Sequence, residues 1–219
     1  MTDLTNSPFL DFPEGVVDSL LESDRPVVFL DVDGVINHYP RPSLSVSRLK
    51  PLVDGGELHL RQAMGFKLWV HEETISLLKS VAEVADIVWL TAWGEDVFYP
   101  RGDSISDFVF DGTLFPVLDS HDGGFAISPG TVEWKWRRAG EARALIHPSR
   151  DVTWIEDFYF ESLAPDPRGQ YRNRVMKHRP RFLKRLPGVT LVDTVPDCYL
   201  RREHLEGTSL GALLERVSS

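Results

Sequence analysis

Three short apolar runs stand out along this chain, Val27 to Leu30, Ile87 to Leu90 and Val152 to Ile155, with a fourth strand-like stretch at Val189 to Val192. The first has no polar alternation and is too short for a helix, so it reads as a strand covered on both faces, as in a parallel sheet. The others repeat the type. Between the first two runs, Glu72 to Val84 places Ile75, Leu77, Leu78 and Val81 at helical spacing. Before it, Glu57 to Arg61 and Phe66 to Val70 alternate apolar and polar residues around a connection containing Gly65, the pattern of a β-hairpin. Good helix formers run from Lys135 to Arg143. Strands alternating with helices predict an α/β domain with a doubly wound, Rossmann-like parallel sheet. The hairpin is then a flap inside an insertion at 37–70. A second short insertion is expected at 94–130.

The residues at the end of each strand carry the chemistry. Val27 to Leu30 runs into Asp31, Val32, Asp33 and Gly34. Open parallel sheets bind ligands at the carboxyl ends of their strands, which is where both aspartates fall. Two carboxylates so close repel one another unless a cation such as Mg²⁺ takes up the charge. Gly34 permits a sharp turn beneath them. The second run ends in Thr91, whose hydroxyl can hold a phosphate oxygen, and Lys135 can neutralise phosphate as a point cation. The third run closes on Glu156 and Asp157. Each feature has a plain structural alternative: a solvated turn at Asp31 and Asp33, a helix cap at Thr91, a surface lysine at Lys135, a solvated loop at Glu156 and Asp157. Their recurrence in one order is what points to phosphoryl chemistry.

Those residues resemble the four motifs of the haloacid dehalogenase superfamily of aspartate-dependent phosphohydrolases: DVDGV at Asp31 to Val35, WLT at Trp89 to Thr91, Lys135, and WIED at Trp154 to Asp157. Asp31 to Asn37, TAW at Thr91 to Trp93, Lys135 with Trp136, and Trp154 to Asp157 also resemble the small actinobacterial and phage-type members associated with RNA repair. The resemblance implies Asp31 as the nucleophile that forms an aspartyl phosphate and Asp33 as general acid, then base. It implies Thr91 and Lys135 as ligands of the phosphoryl oxygens. Mg²⁺ is expected on the Asp31 carboxylate, the Asp33 carbonyl and Asp157, with Glu156 acting through water. Glu156 departs from the commoner aspartate, which leaves its direct contact with the metal open. Dehalogenases lack an acid at the position of Asp33, so phosphoryl transfer is expected over carbon chemistry.

Composition bounds the rest. At 219 residues and 42% hydrophobic content, one domain can bury a sizeable core. One cysteine, Cys198, excludes an internal disulfide and a cysteine-rich metal site, and no disulfide-linked partner is expected. The N-terminus does not read as a signal peptide and no run is long enough to span a membrane, so a cytoplasmic enzyme is expected. The insertions are too short for a large cap domain, and a lightly covered site admits large substrates.

The net charge of −9 disfavours indiscriminate binding to nucleic acid. Yet Arg168 to Arg185 holds eight Lys and Arg and no Asp or Glu, leaving −17 (−9 minus 8) for the remainder. Arg172, Arg174 and Arg179 in it are candidate contacts to a phosphate backbone, and the alternative is a solvated helix pairing with surplus acids. Trp93 and Trp136 offer faces on which a base can stack, or pack in the core. His38 follows the first motif closely enough to reach a substrate, whereas His71 reads as structural. The expected function is a Mg²⁺-dependent phosphomonoesterase acting on a nucleic acid end or nucleotide. A small-metabolite phosphatase and a non-catalytic interaction module on the same fold are the alternatives.

Overall fold

The computed structural model describes residues 8–9, 16–38, 53–63, 65–98, 102–118, 131–157, 186–194, 197 and 199–218. Strand β1 (Val27–Leu30) lies inside a four-stranded sheet, between β4 (Asp86–Trp89) and β5 (Val152–Glu156), with β6 (Thr190–Asp193) beyond β5. All the pairings are parallel: Val27 lies opposite Asp86 on one side and Val152 on the other, and Thr153 opposite Thr190. The apolar runs form these strands because both sheet faces are covered. Val28, Leu30, Ile87, Trp89, Ile155 and Val192 face helices α2 (Glu72–Val84), α3 (Ile105–Phe110) and α5 (Ser209–Ser218). Val27, Phe29, Val88, Leu90, Val152 and Trp154 face α1 (Val16–Glu22) and α4 (Thr131–Leu145).

Strands β2 (Leu58–Ala63) and β3 (Phe66–His71) form a separate antiparallel hairpin, with Ala63 paired to Phe66 and Gly65 at φ +78°. It is not an isolated flap. Ala63, Leu68 and Val70 are buried in the same cluster as Val35 and Ile36. The chain leaving β1 is also tied to it, because His38 N donates to the Trp69 carbonyl (2.6 Å) and Trp69 N to Asn37 Oδ1 (3.0 Å).

The stretch expected as a second insertion likewise contributes to the core. Ile105, Val109, Phe110, Val117 and Leu118 are buried, and Trp89 N donates to the Pro116 carbonyl at 2.8 Å. Lys135 lies in the second turn of α4 rather than at a helix start, since the helix begins at Thr131. Among the described residues no helix is long and apolar enough to cross a membrane. The candidate contacts Arg172, Arg174 and Arg179, and Cys198, lie outside the described residues.

Candidate active site

The carboxyl edge of the sheet is where the chemistry-bearing side chains meet. Asp31 follows β1 directly, and its backbone N–H donates to the Ile155 carbonyl at 3.2 Å, which fixes it beside the end of β5. The chain then folds back on itself: Ile36 N and Asn37 N both donate to the Val32 carbonyl, and Gly34 N donates to the Asn37 carbonyl. Gly34 has φ +76°, and a Cβ at that position would collide with the Asp157 side chain. Glycine is therefore required on two counts, conformation and close approach. The C-terminal segment supports the same turn, because Thr194 Oγ1 donates to the Gly34 carbonyl (2.6 Å) and Leu200 N to the Val35 carbonyl (2.8 Å).

Lys135 reaches from α4 into this edge and is 2% exposed. Its Nζ lies 2.8 Å from Asp31 Oδ2 and 2.8 Å from Glu156 Oε2. Burial alone would lower its pKa, but Asp31 and Glu156 more than offset that and raise it, so it is a fixed positive charge. Burial, with Asp31 adding to it, pushes the Glu156 carboxyl well above the ordinary range against the pull of Lys135. Glu156 Oε1 is buried with no hydrogen-bond partner among the described residues. Asp31, Glu156 and Asp157 each offer a carboxylate oxygen, and these atoms lie within 4.8 Å of one another.

That arrangement fits a hard divalent cation. Three carboxylate oxygens match its preference for oxygen ligands, and the unpartnered Glu156 oxygen lacks a positive partner that a cation would supply. One lysine offsets only part of the charge of the acids converging here. Glu156 is completely buried, and one of its carboxylate oxygens belongs to the cluster despite the extra methylene. Asp33 is not part of the cluster: its carboxyl accepts from Asn37 Nδ2 (2.8 Å) at Oδ1 and from Trp93 Nε1 (2.9 Å) at Oδ2. Burial and then Asp31 raise the Asp33 pKa, while the two N–H donors and Lys135 pull it down without reversing the shift.

Thr91 is brought to the same edge by β4 and is buried, with Oγ1 accepting from Trp93 N at 3.3 Å. Asp31, Asp33, Thr91, Lys135, Glu156 and Asp157 thus converge from β1, β4, α4 and β5. Trp93 has a different place from an open stacking face. It is 8% exposed, its indole N–H is directed to Asp33, and the ring of Phe66 at the hairpin tip meets it edge-on at 5.5 Å. Trp136 packs in the core against Trp154, ring centres 5.1 Å apart.

Asn37 was missed as a site residue by sequence reasoning, and the only signal for it was its place six residues after Asp31. His38 is buried, 5.1 Å from the ring of His71, and Tyr199 stacks on His71 at 3.6 Å. The pair therefore belongs to the hairpin's foundation. Compared with protein-family models, curated proteins and solved structures, the chain matches none of them.

Proposed function

We propose that this chain is a phosphomonoesterase of the haloacid dehalogenase type, acting through an aspartyl phosphate on Asp31 and dependent on Mg²⁺. The observation that carries the reading is the placement of Asp31 at the end of the inner strand β1, with Lys135 Nζ at 2.8 Å and the Glu156 and Asp157 carboxylates alongside. A carboxylate beside a buried lysine and a carboxylate cluster that could hold a divalent ion suits attack on a phosphoryl group, whose charge must be offset as the nucleophile approaches. Asp31, Glu156 and Asp157 hold Mg²⁺ in this reading, and the ion supplies charge neutralisation at the phosphoryl oxygens.

The chain's own groups do the rest. An Asp31 oxygen forms a bond to phosphorus as the bond from phosphorus to the ester oxygen breaks, and Asp33 gives its proton to the departing alkoxide. Water then attacks the same phosphorus and passes a proton to Asp33, and phosphate leaves as the Asp31 carboxylate is restored. Asp33 suits this exchange because burial raises its pKa toward the working range of a general acid. Thr91 and Lys135 orient the phosphoryl oxygens.

For substrate we favour a nucleic acid end or nucleotide, on the eight basic residues without an acid between Arg168 and Arg185. The test is phosphate release from mononucleotides, sugar phosphates and phosphorylated oligonucleotides, with Mg²⁺ and after chelation. Turnover that needs Mg²⁺ and disappears in Asp31→Asn is expected. Release from no ester, or undiminished release by Asp31→Asn, overturns the reading. Preference for sugar phosphates over oligonucleotides moves the substrate to small metabolites.

A further inference from the structure

The carboxyl of Asp33 is held at both oxygens by groups that only donate. Asn37 Nδ2 lies 2.8 Å from Oδ1 and Trp93 Nε1 2.9 Å from Oδ2. The terminal torsion of an aspartate is broad when unrestrained, so two donors on opposite oxygens fix a plane the side chain would not hold alone. Neither donor is free to turn. The Asn37 amide is oriented because its oxygen accepts from Trp69 N in β3 at 3.0 Å, which leaves its nitrogen facing Asp33. The Trp93 indole is flanked by Phe66 at the hairpin tip, edge-on at 5.5 Å, and its backbone N–H is anchored to Thr91 Oγ1. Both supports lead to the hairpin, one through Trp69 and one through Phe66.

We infer that Asn37 and Trp93 are positioning residues for Asp33, and that the seating of the β2–β3 hairpin sets the orientation of that carboxyl. The inference rests on the phosphohydrolase reading for its consequence in turnover, and on the hydrogen bonds alone for its geometry. Trp93→Phe keeps the ring and removes the donor. Asn37→Ser withdraws the other donor from Asp33, its hydroxyl being one atom shorter than the amide, without touching an aromatic.

The experiment is a double-mutant cycle with Asp33→Asn, read as kcat and KM on an alkyl phosphate and on dinitrophenyl phosphate. Trp93→Phe and Asn37→Ser should each lower kcat on the alkyl ester roughly 10- to 100-fold, a fraction of the roughly 10²- to 10⁴-fold worth of the proton donor they position. KM should move little. The loss should be smaller on the dinitrophenyl ester, whose leaving group needs less protonation. In the Asp33→Asn background the same substitutions should cost less than about twofold, because their effect runs through a group already disabled. An undiminished cost in that background overturns the inference and makes Trp93 a substrate contact or a fold residue.

Hydrogen exchange of the Trp93 indole N–H, followed by NMR, gives a second readout independent of turnover. It should be slow in the wild-type protein and faster in Asp33→Ala and in Phe66→Ala. Exchange unchanged in both variants overturns the inference. A wild-type protein that hydrolyses no phosphomonoester yet shows this coupled exchange overturns the proposed function and leaves the positioning network standing.

Discussion

In the proposed reaction Lys135 has two roles that pull in different directions, countercharge for its own acids and ligand for an incoming phosphate. It is buried between Asp31 and Glu156 and forms an ion pair with each. Removing one member of a buried ion pair leaves an uncompensated charge and typically costs about 3–5 kcal/mol. Lys135→Met should therefore unfold at markedly lower urea in chelator, and saturating Mg²⁺ should recover part of the loss. No change in the midpoint would mean the acids are neutralised by some other route.

The two aspartates of the first motif should separate cleanly under substitution. Asp31→Asn should abolish the acid-stable, hydroxylamine-sensitive phosphoenzyme seen by rapid quench, since an amide is a poor nucleophile. Asp33→Asn should still form it, with turnover slowed roughly 10²- to 10⁴-fold, the usual worth of a positioned proton donor. Phosphoenzyme in Asp31→Asn would assign the nucleophile elsewhere.

His71 gives a residue-scale prediction away from the chemistry. Burial first, then His38, Arg201 and His59, lower its pKa from 6.5 to about 4, against a hydrogen bond to the Glu57 backbone. The folded protein holds the neutral ring, while the unfolded chain takes up a proton below about pH 6.5. Stability from this group is thus complete above pH 6.5 and falls as pH drops toward 4, by on the order of 3 kcal/mol in all. Urea midpoints at pH 7.5 and pH 5 should differ in that direction, and His71→Phe, which can still stack on Tyr199, should remove much of the difference. Full retention of the pH dependence in that variant would assign it to another group.

At the scale of elements, the Arg150 side chain cross-links the end of the sheet opposite the site. Arg150 donates from Nε to the Arg25 carbonyl (2.6 Å), from Nη1 to the Leu20 carbonyl (2.6 Å) and from Nη2 to Asp86 Oδ2 (2.7 Å). It thereby joins the end of α1, the start of β4 and the start of β5. Arg150→Met should destabilise by about 3 kcal/mol, because it strands buried acceptors, without a specific effect on KM at the far edge. A loss of activity with unchanged stability would contradict this.

The elements themselves were legible because their patterns are local. Helix Glu72–Val84 appears with the bounds its spacing predicts, and Val27–Leu30 is a strand buried along its whole length. The hairpin extends to Ala63 and His71, slightly beyond the alternating residues, because the pairing runs on from Ala63 with Phe66 to Leu58 with His71. The placement of Asp31, Thr91, Lys135, Glu156 and Asp157 at the sheet edge was readable because each ends or follows a strand or sits on a helix. Asn37 and the true place of Trp93 were not. Their contacts depend on a turn folding back from β1 and on the hairpin tip, sixty residues from one partner to the other in the case of Trp93 and Asp33. The Arg150 clamp was hidden for the same reason, since arginine before a strand carries no local signal.

For the molecule as a whole, the proposed metal site would link folding, metal and proton. If Glu156 holds a proton in the metal-free protein, binding a divalent cation should release it, so calorimetry in buffers of different ionisation enthalpy should report proton release with Mg²⁺. The same binding should raise stability by about 2.7 kcal/mol at a hundredfold excess over the dissociation constant. A melting temperature that ignores Mg²⁺ would count against the site. The basic stretch from Arg168 to Arg185 sets a different global expectation. Neutralising Arg172, Arg174 and Arg179 together should weaken binding of a single-stranded oligonucleotide and flatten its log–log salt slope by about 2, at about 0.7 per contact. An unchanged slope would leave the substrate preference without support.

Strand β1 pairs on one side with β4 and on the other with β5, so Leu30 must wait for Ile155 to be made. At about 5–20 residues per second, ribosomal synthesis leaves that apolar strand without its second neighbour for roughly 6 to 25 s. Asp31 emerges from the ribosome long before Glu156 and Asp157 do. A nascent chain ending before residue 152 therefore exposes an unpaired strand edge, the kind of surface that favours aggregation, and lacks part of the carboxylate cluster.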